Sequence, residues 1–181
     1  MPMRRLSIAF ALAAATVPQP AVALDRDDWN AASRLGEVAL VAAALGFPLA
    51  HGDGAGALQA GGSLGAAWLA TEGLKQAFPS RRPDGSDRRS FPSGHTSISF
   101  AAAATLHQRN GWEVGLPATV AAAFVGVARI KADKHRWYDV LAGAAIGEAA
   151  GFLITSPRNA NVRVLPWGDT QGGGVAVGLR F

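Results

Sequence analysis

The sequence FPSGHTSISFAAAATLHQRNG, residues 91–111, has the composition of a closely packed helix with a marked beginning and end. A serine follows the proline at its start and can cap the helix, and Asn110-Gly111 can end it. Residues 101–104 are four alanines, whose small side chains let neighbouring helices approach closely. The stretch therefore predicts a helix over residues 94–108.

Apolar segments on both sides of this stretch predict four more helices. Residues 162–167 and 175–181 alternate partly around a glycine-rich stretch and predict a β-hairpin. Hydrophobic residues make up 49% of the chain and aromatic residues 8%, a composition that favours packed helices over sheets. We expect an all-α fold, a compact bundle of about five core helices with a short C-terminal β-hairpin-like tail. The four flanking helices are predicted over residues 35–50, 55–78, 114–130 and 138–154, with Pro79 and Pro157 as stops.

The N-terminal segment has the three parts of a cleavable signal peptide. A short basic start is followed by apolar residues 6–17 and by Ala21-Val22-Ala23, a small-residue cleavage site. An uncleaved anchor is the alternative, but about 12 apolar residues fall short of the roughly 20 that span a bilayer. We therefore expect an exported protein with a signal peptide in residues 1–23, one helical domain in residues 24–157 and the tail in residues 158–181.

Charge and residue content narrow the classes of function. The formal net charge is +4, and basic residues gather in one loop, residues 79–92, which indicates a local anion site and not a nucleic-acid surface. The chain has no cysteine, which excludes disulfides, thiolate catalysis and cysteine-ligated metals. Glu37, Glu72 and Glu148 interrupt apolar segments, so the sequence leaves open whether those helices cross a membrane.

Two clusters beside the basic loop are suited to binding a phosphate. Lys75 and Arg82 supply a point charge and a guanidinium fork, although a solvated basic loop would contain the same residues. Ser93 and Gly94 stand at a predicted helix start, where free amides attract anions and glycine permits close approach. His95 follows and can transfer a proton near neutral pH. The alternative for this second cluster is an ordinary capped helix.

A third cluster consists of Arg129, His135 and Asp139. In a helix, the four-residue offset from His135 to Asp139 puts imidazole and carboxylate on one face. The carboxylate can then keep one ring nitrogen protonated and the other nucleophilic. The alternative is an aspartate that stabilises a helix N-terminus beside a surface histidine.

In their order and spacing, the three clusters resemble the motifs of the type 2 phosphatidic acid phosphatases, the bacterial non-specific acid phosphatases and the vanadium haloperoxidases. The resemblance covers residues 75–151. It implies a metal-independent phosphatase without a cofactor, in which His135 attacks phosphorus, Asp139 orients His135, and His95 acts as general acid and then as general base. It also implies a phosphate cage made by Lys75, Arg82, Ser93, Gly94 and Arg129.

Two features depart from or refine that pattern. Ala128 stands before Arg129, where the family has serine, so we expect one hydrogen bond fewer and a modest loss of activity. Only residues 84–91 separate Arg82-Pro83 from Pro92, which resembles the compact bacterial membrane relatives. The substrate implied is a phosphorylated lipid of the phosphatidic acid, undecaprenyl diphosphate or lipid A type, or else a small phosphate ester. The location implied is the periplasmic face of the inner membrane, or the periplasm.

Three other functions are compatible with parts of this pattern. A soluble periplasmic acid phosphatase would use the same residues on a small ester. A haloperoxidase would hold vanadate in the same cage, but nothing in the sequence indicates a halide or peroxide site. A non-catalytic lipid-binding membrane protein would be expected to lose His95, His135 or Asp139, and all three are present.

Overall fold

The computed structural model describes residues 23–157, 162–168 and 170–179. It contains a bundle of five helices followed by two antiparallel strands, which confirms the predicted all-α fold and its hairpin. The predicted signal peptide lies outside the described residues except for Ala23. The elements in chain order are α1 Arg26–Ala50, α2 Gly54–Ala77, α3 Gly94–Asn110, α4 Trp112–Lys131, α5 Trp137–Ile154, β1 Val162–Gly168 and β2 Gly173–Leu179.

The first helix begins at Arg26, well before the predicted start at residue 35. Asp25 caps it, because the Asp25 carboxylate accepts hydrogen bonds from the amides of Asp27 and Asp28 at 2.8 and 2.9 Å. The Asp28 carboxylate in turn accepts the Asp25 amide at 3.1 Å, which completes a capping box. The polar residues before the apolar segment thus form the first turns of α1, and the other four helices lie close to their predicted positions.

Helix α3 is the centre of the bundle and packs against the four other helices. Its alanines, residues 101–104, are buried, and so are several of its hydroxyl side chains. Ser97 shows how such a hydroxyl is satisfied, since it accepts a hydrogen bond from Thr71 on α2 at 2.9 Å and donates to the Ala67 carbonyl at 3.3 Å. Small side chains and paired hydroxyls therefore explain why the least apolar helix can occupy the core.

Glycines on α5 allow that helix to lie directly on α3. A Cβ atom added at Gly143 would lie 2.5 Å from the Ser93 carbonyl oxygen, and Gly147 and Gly151 meet α3 in the same way. The amide of Ser93 also donates to the Asp139 carbonyl at 2.9 Å. The first turn of α5, which carries Asp139, is thereby fixed against the first turn of α3, which carries His95.

The outer surface of the bundle is strongly apolar. Helices α1, α4 and α5 are long and apolar enough to cross a membrane, judged by length and composition. Large hydrophobic side chains on these three helices are exposed, among them Leu35, Val38, Leu116, Val120, Leu141 and Leu153. This surface is what a lipid environment would cover.

At the end of the bundle opposite His95 and Asp139, a buried arginine joins α3 to α2 and to the residues that follow α5. Arg109, at the end of α3, donates to Gln59 and to the Ser156 carbonyl at 3.0 Å each and pairs with Asp53. Strand β1 lies against α2 and the end of α5, while Val175 and Val177 of β2 are exposed. Because α5 runs from Asp139 at its start to this end, the hairpin is remote from the residues described next.

Candidate active site

A cavity of about 260 Å³ lies where the end of α2, the start of α3 and two loops meet. It is several times larger than the roughly 30 Å³ share of one water molecule. Of the predicted site residues, Lys75, Arg82, Gly94, His95 and His135 line this cavity. The structure therefore brings together residues from all three sequence clusters.

Hydrogen bonds within and between loops bring Arg82 next to His135. The loop of residues 79–92 folds on itself through the Ser90 amide, which donates to the Ser80 carbonyl at 2.9 Å. The Asp84 amide donates to the Asp133 carbonyl in the turn between α4 and α5 at 3.1 Å. Lys134 also pairs with Asp84 at 2.6 Å. The basic loop is thus fixed to the turn that carries the nucleophile candidate.

His135 is buried and has a defined tautomer. Its Nδ1 lies 2.8 Å from the Ser90 carbonyl oxygen, and its Nε2 lies 3.2 Å from Arg82 Nη1. A carbonyl only accepts and a guanidinium only donates, so these partners assign the proton to Nδ1 and the lone pair to Nε2. Burial and the charge of Arg82 lower the pKa of His135 to about 2. The imidazole is therefore neutral at ordinary pH, as a nucleophile requires.

Ser90 lies between His135 and Asp139. The predicted direct contact is not formed, because Asp139 Oδ2 and His135 Nδ1 are 3.9 Å apart, beyond hydrogen-bonding distance. Asp139 Oδ2 instead accepts from the Ser90 hydroxyl at 2.6 Å and from the Arg136 amide at 2.8 Å. Ser90 thus binds the histidine through its carbonyl and the carboxylate through its hydroxyl. Sequence reasoning missed Ser90, since no spacing rule distinguishes it within the loop.

Two of the three cations that line the cavity, Lys75 and Arg82, keep donors for an anion. The Lys75 ammonium donates to the carbonyls of Arg89 and Pro92 at 2.8 and 2.5 Å, which leaves one of its three protons. Burial and Arg82 lower the pKa of Lys75 to about 8, so it remains mostly charged at neutral pH. Arg82 Nε pairs with Asp87 at 2.7 Å, and Arg82 Nη2 has no partner within the described part of the chain.

Two predicted phosphate ligands, Ser93 and Arg129, do not line the cavity. Ser93 is fully buried, and its hydroxyl is 2.9 Å from the Thr96 hydroxyl. Arg129 is also buried, and its Nη1 donates to Asn30 at 2.6 Å and to Ser33 at 3.3 Å, both on α1. The charge of Arg129 still acts on the cavity, since it helps to lower the pKa of His135. Direct binding of phosphate by these two residues stays a prediction.

Glu37 of α1 is a cavity residue that the sequence did not indicate as functional. Glu37 lines the cavity, and its Oε2 lies 3.4 Å from His95 Nε2. Burial and nearby cations, Arg129 first among them, lower the pKa of His95 to about 4. The available signal was a carboxylate inside an apolar helix, which is costly unless it has a function.

Part of the cavity lining is apolar. Trp68, which is 55% exposed, and Ile98 line the cavity together with the charged residues. Across the residues that the structure describes, no three His, Asp or Glu side chains are arranged to hold a metal ion. The site therefore combines a neutral buried imidazole, three cations, a second histidine and two apolar side chains.

Comparison with known proteins places these features in one family. Residues 56–163 match the model of the PAP2 superfamily. The lipid A 1-phosphatase of Porphyromonas gingivalis is 42% identical over 83 residues, which cover 44% of this chain and 18% of that protein. The lipid A 4′-phosphatase of Helicobacter pylori is 31% identical over 110 residues, which cover 52% of this chain and 56% of that protein. The match thus spans less than two thirds of either relative.

Two crystal structures have the same fold. One is LpxE of Aquifex aeolicus, with a TM-score of 0.61 and 23% identity over 71% of this chain and 83% of that one. The other is a transmembrane PAP2 type phosphatidylglycerolphosphate phosphatase of Bacillus subtilis, with a TM-score of 0.57 and 24% identity over 71% and 73%. Helix α1 precedes the residues that match the family model, although it contributes Glu37 to the cavity.

Proposed function

This chain belongs to the PAP2 superfamily, and we propose on that premise that it is a membrane-bound phosphatase that removes a phosphate group from a lipid. The observation that carries the proposal is the single cavity in which His135, Lys75, Arg82 and His95 meet. A neutral nucleophile beside cations and a proton-transferring group is the arrangement that phosphoryl transfer through a covalent intermediate needs.

In the first step of the proposed reaction, the lone pair of His135 Nε2 attacks phosphorus. The bond to the leaving oxygen breaks, and His95 gives that oxygen a proton. Arg82 donates to Nε2, and the oxygens of a bound phosphate offer its guanidinium better acceptors. Transfer of the Arg82 hydrogen bond from Nε2 to phosphate frees the lone pair only when substrate is present.

In the second step, water attacks the phosphohistidine. His95, now unprotonated, takes a proton from the water, phosphate leaves, and Nε2 regains its lone pair. The phosphorylated ring carries positive charge, which the Ser90 carbonyl at 2.8 Å and the Asp139 carboxylate at 3.9 Å stabilise. Lys75, Arg82 and the amides at the start of α3 stabilise the charge on the phosphoryl oxygens.

The surroundings of the cavity support a lipid substrate. Trp68 and Ile98 give part of the cavity an apolar lining, and the three membrane-length helices expose apolar side chains. A soluble acid phosphatase would not be expected to expose such apolar surfaces. The names of the two relatives indicate that the phosphate groups of lipid A are the first substrates to test. We further propose that the signal peptide directs the protein to the inner membrane, with its site on the periplasmic side.

Phosphate release by purified protein in detergent tests this proposal. Lipid A, phosphatidic acid, undecaprenyl diphosphate and p-nitrophenyl phosphate are offered with EDTA present, to wild type and to His135→Ala. We expect release from lipid A by the wild type only, unchanged by EDTA and inhibited by vanadate. Folded protein that binds lipid A but releases no phosphate from any substrate would instead indicate a lipid-binding protein.

A further inference from the structure

Helix α1 places a carboxylate against the histidine assigned to proton transfer. Glu37 Oε2 is 3.4 Å from His95 Nε2, and both side chains are mostly buried. The structure shows no partner for His95 Nδ1 in residues 23–157, 162–168 and 170–179. The two nitrogens of the His95 ring are therefore not equivalent, since one faces a carboxylate and the other is available to a bound molecule.

We propose that Glu37 is a positioning residue that holds His95 Nε2 in its protonated form, so that His95 Nδ1 exchanges protons with the leaving oxygen and with water. This inference rests on the proposed phosphatase function and deepens it. A carboxylate that accepts one N–H of an imidazole fixes both the ring orientation and the tautomer, as in hydrolytic triads. Helix α1, which carries Glu37, lies outside the residues that match the family model.

The charges around His95 explain why a carboxylate is needed there. Burial and four nearby cations disfavour the imidazolium that a general acid must form. The carboxylate of Glu72 also lines the cavity but pairs with Arg89, and His135 is held neutral. Glu37 is thus the carboxylate in contact with the ring. The cations that lower the pKa of His95 are Arg129 on α4, Arg34 on α1, Arg82 in the basic loop and Lys75 on α2.

Because Nε2 is paired with Glu37, Nδ1 is the atom that gives and takes the proton in the two steps. In the first step the Nδ1 proton of the His95 imidazolium passes to the leaving oxygen as its bond to phosphorus breaks. In the second step Nδ1 takes a proton from the attacking water as the bond from His135 Nε2 to phosphorus breaks. Glu37 stays paired with Nε2 throughout and makes no bond to the substrate, and its negative charge favours the imidazolium.

Glu37→Gln tests the pair, because it keeps the size of the side chain and removes the charge. Glu148→Gln is the matched control, since Glu148 is a half-buried carboxylate on another apolar helix and does not line the cavity. The measurement is kcat/KM against pH for two substrates in detergent. One is an alkyl or lipid phosphate, whose leaving oxygen needs a proton, and the other is p-nitrophenyl phosphate, whose leaving group is stable as an anion.

We expect Glu37→Gln to lower kcat/KM for the alkyl phosphate by about 100-fold, within the usual range for proton transfer, and for p-nitrophenyl phosphate far less. Removing a negative charge lowers the pKa of His95. The pH above which activity declines, which is the basic limb of the pH profile, should therefore fall by about 1 unit or more. Glu37→Asp keeps the charge and should keep the position of this basic limb. Glu148→Gln should match the wild type in both respects.

Equal losses on both substrates with an unmoved basic limb would overturn the proposal, because that pattern belongs to a residue that merely joins α1 to α3. Wild-type kinetics in Glu37→Gln would overturn it as well. If Glu37→Gln fails to fold, the pH profile of Glu37→Asp provides the test. A basic limb at a different pH from that of the wild type would contradict the inference. Failure of the proposed function is distinguishable, because the wild type would then hydrolyse neither substrate.

Discussion

Ser90→Ala isolates the hydrogen bond that links the basic loop to the buried carboxylate of Asp139. The substitution removes a 2.6 Å bond from a hydroxyl to a fully buried carboxylate, which retains only the Arg136 amide on that oxygen. Hydrogen bonds to charged groups contribute about 1.5–3 kcal/mol, so the free energy of unfolding should fall by that amount. The Ser90 carbonyl remains, so the tautomer of His135 is kept and kcat should fall by only about tenfold, or ~1.4 kcal/mol in the transition state.

Ser99→Ala is the control for this prediction. Ser99 is also fully buried, but its hydroxyl has no hydrogen-bond partner among the described residues. The same chemical change therefore removes no bond there and should leave stability equal or slightly higher. The assay is thermal or chemical unfolding in detergent, with kcat measured on the same preparations. Equal stability losses in the two variants, or an unchanged kcat in Ser90→Ala, would refute the view that Ser90 connects Asp139 to His135.

Three further predictions follow from contacts and charges. Gly143→Ala puts a methyl group 2.5 Å from the Ser93 carbonyl oxygen, so it should lower the free energy of unfolding by about 1–3 kcal/mol; an unchanged Tm would show that α5 and α3 are not in close contact. Asn30→Ala removes a 2.6 Å bond to the Arg129 guanidinium and should cost about 1.5–3 kcal/mol in unfolding measurements, whereas an effect near zero would mean that Asn30 does not hold Arg129. The pKa of His135 is lowered from 6.5 to about 2, so below pH 6.5 the unfolded chain binds a proton that the folded protein does not. The free energy of unfolding should therefore be highest above pH 6.5 and fall as the pH drops. The Tm of His135→Ala should depend less steeply on pH, and an identical slope would contradict the assignment of a buried neutral imidazole.

The helices could be predicted from the sequence because their boundaries and composition are local. Proline, glycine and serine mark the ends of α2 and α3, and alanine runs fix the type of packing. The start of α1 was missed, since Asp25 to Asn30 look like a polar connection until the reciprocal bonds of the capping box are seen. An aspartate three residues after the cap was the signal, in place of the usual glutamate.

The candidate site could be predicted in part. Fixed spacings identified Lys75, Gly94, His95, Arg82 and His135, all of which line the cavity. The atoms that face the cavity depend on packing between distant segments, and spacing says nothing about this. Ser90 reaches His135 across 45 residues, and the contact of Glu37 with His95 requires α1 to lie beside α3. The same limit explains why Ser93 and Arg129, although their motifs were found, do not line the cavity.

The measurement that tests the central claim most directly is the trapping of the covalent intermediate. Wild type and His95→Ala are mixed with a lipid phosphate, quenched within a fraction of a turnover under alkaline conditions that preserve phosphohistidine, and analysed by peptide mass spectrometry. We predict phosphate on His135 in the wild type, and less of it in His95→Ala, because the leaving oxygen of a lipid phosphate needs a proton from His95. Turnover without any phosphorylated residue, or phosphate on a residue other than His135, would contradict the account.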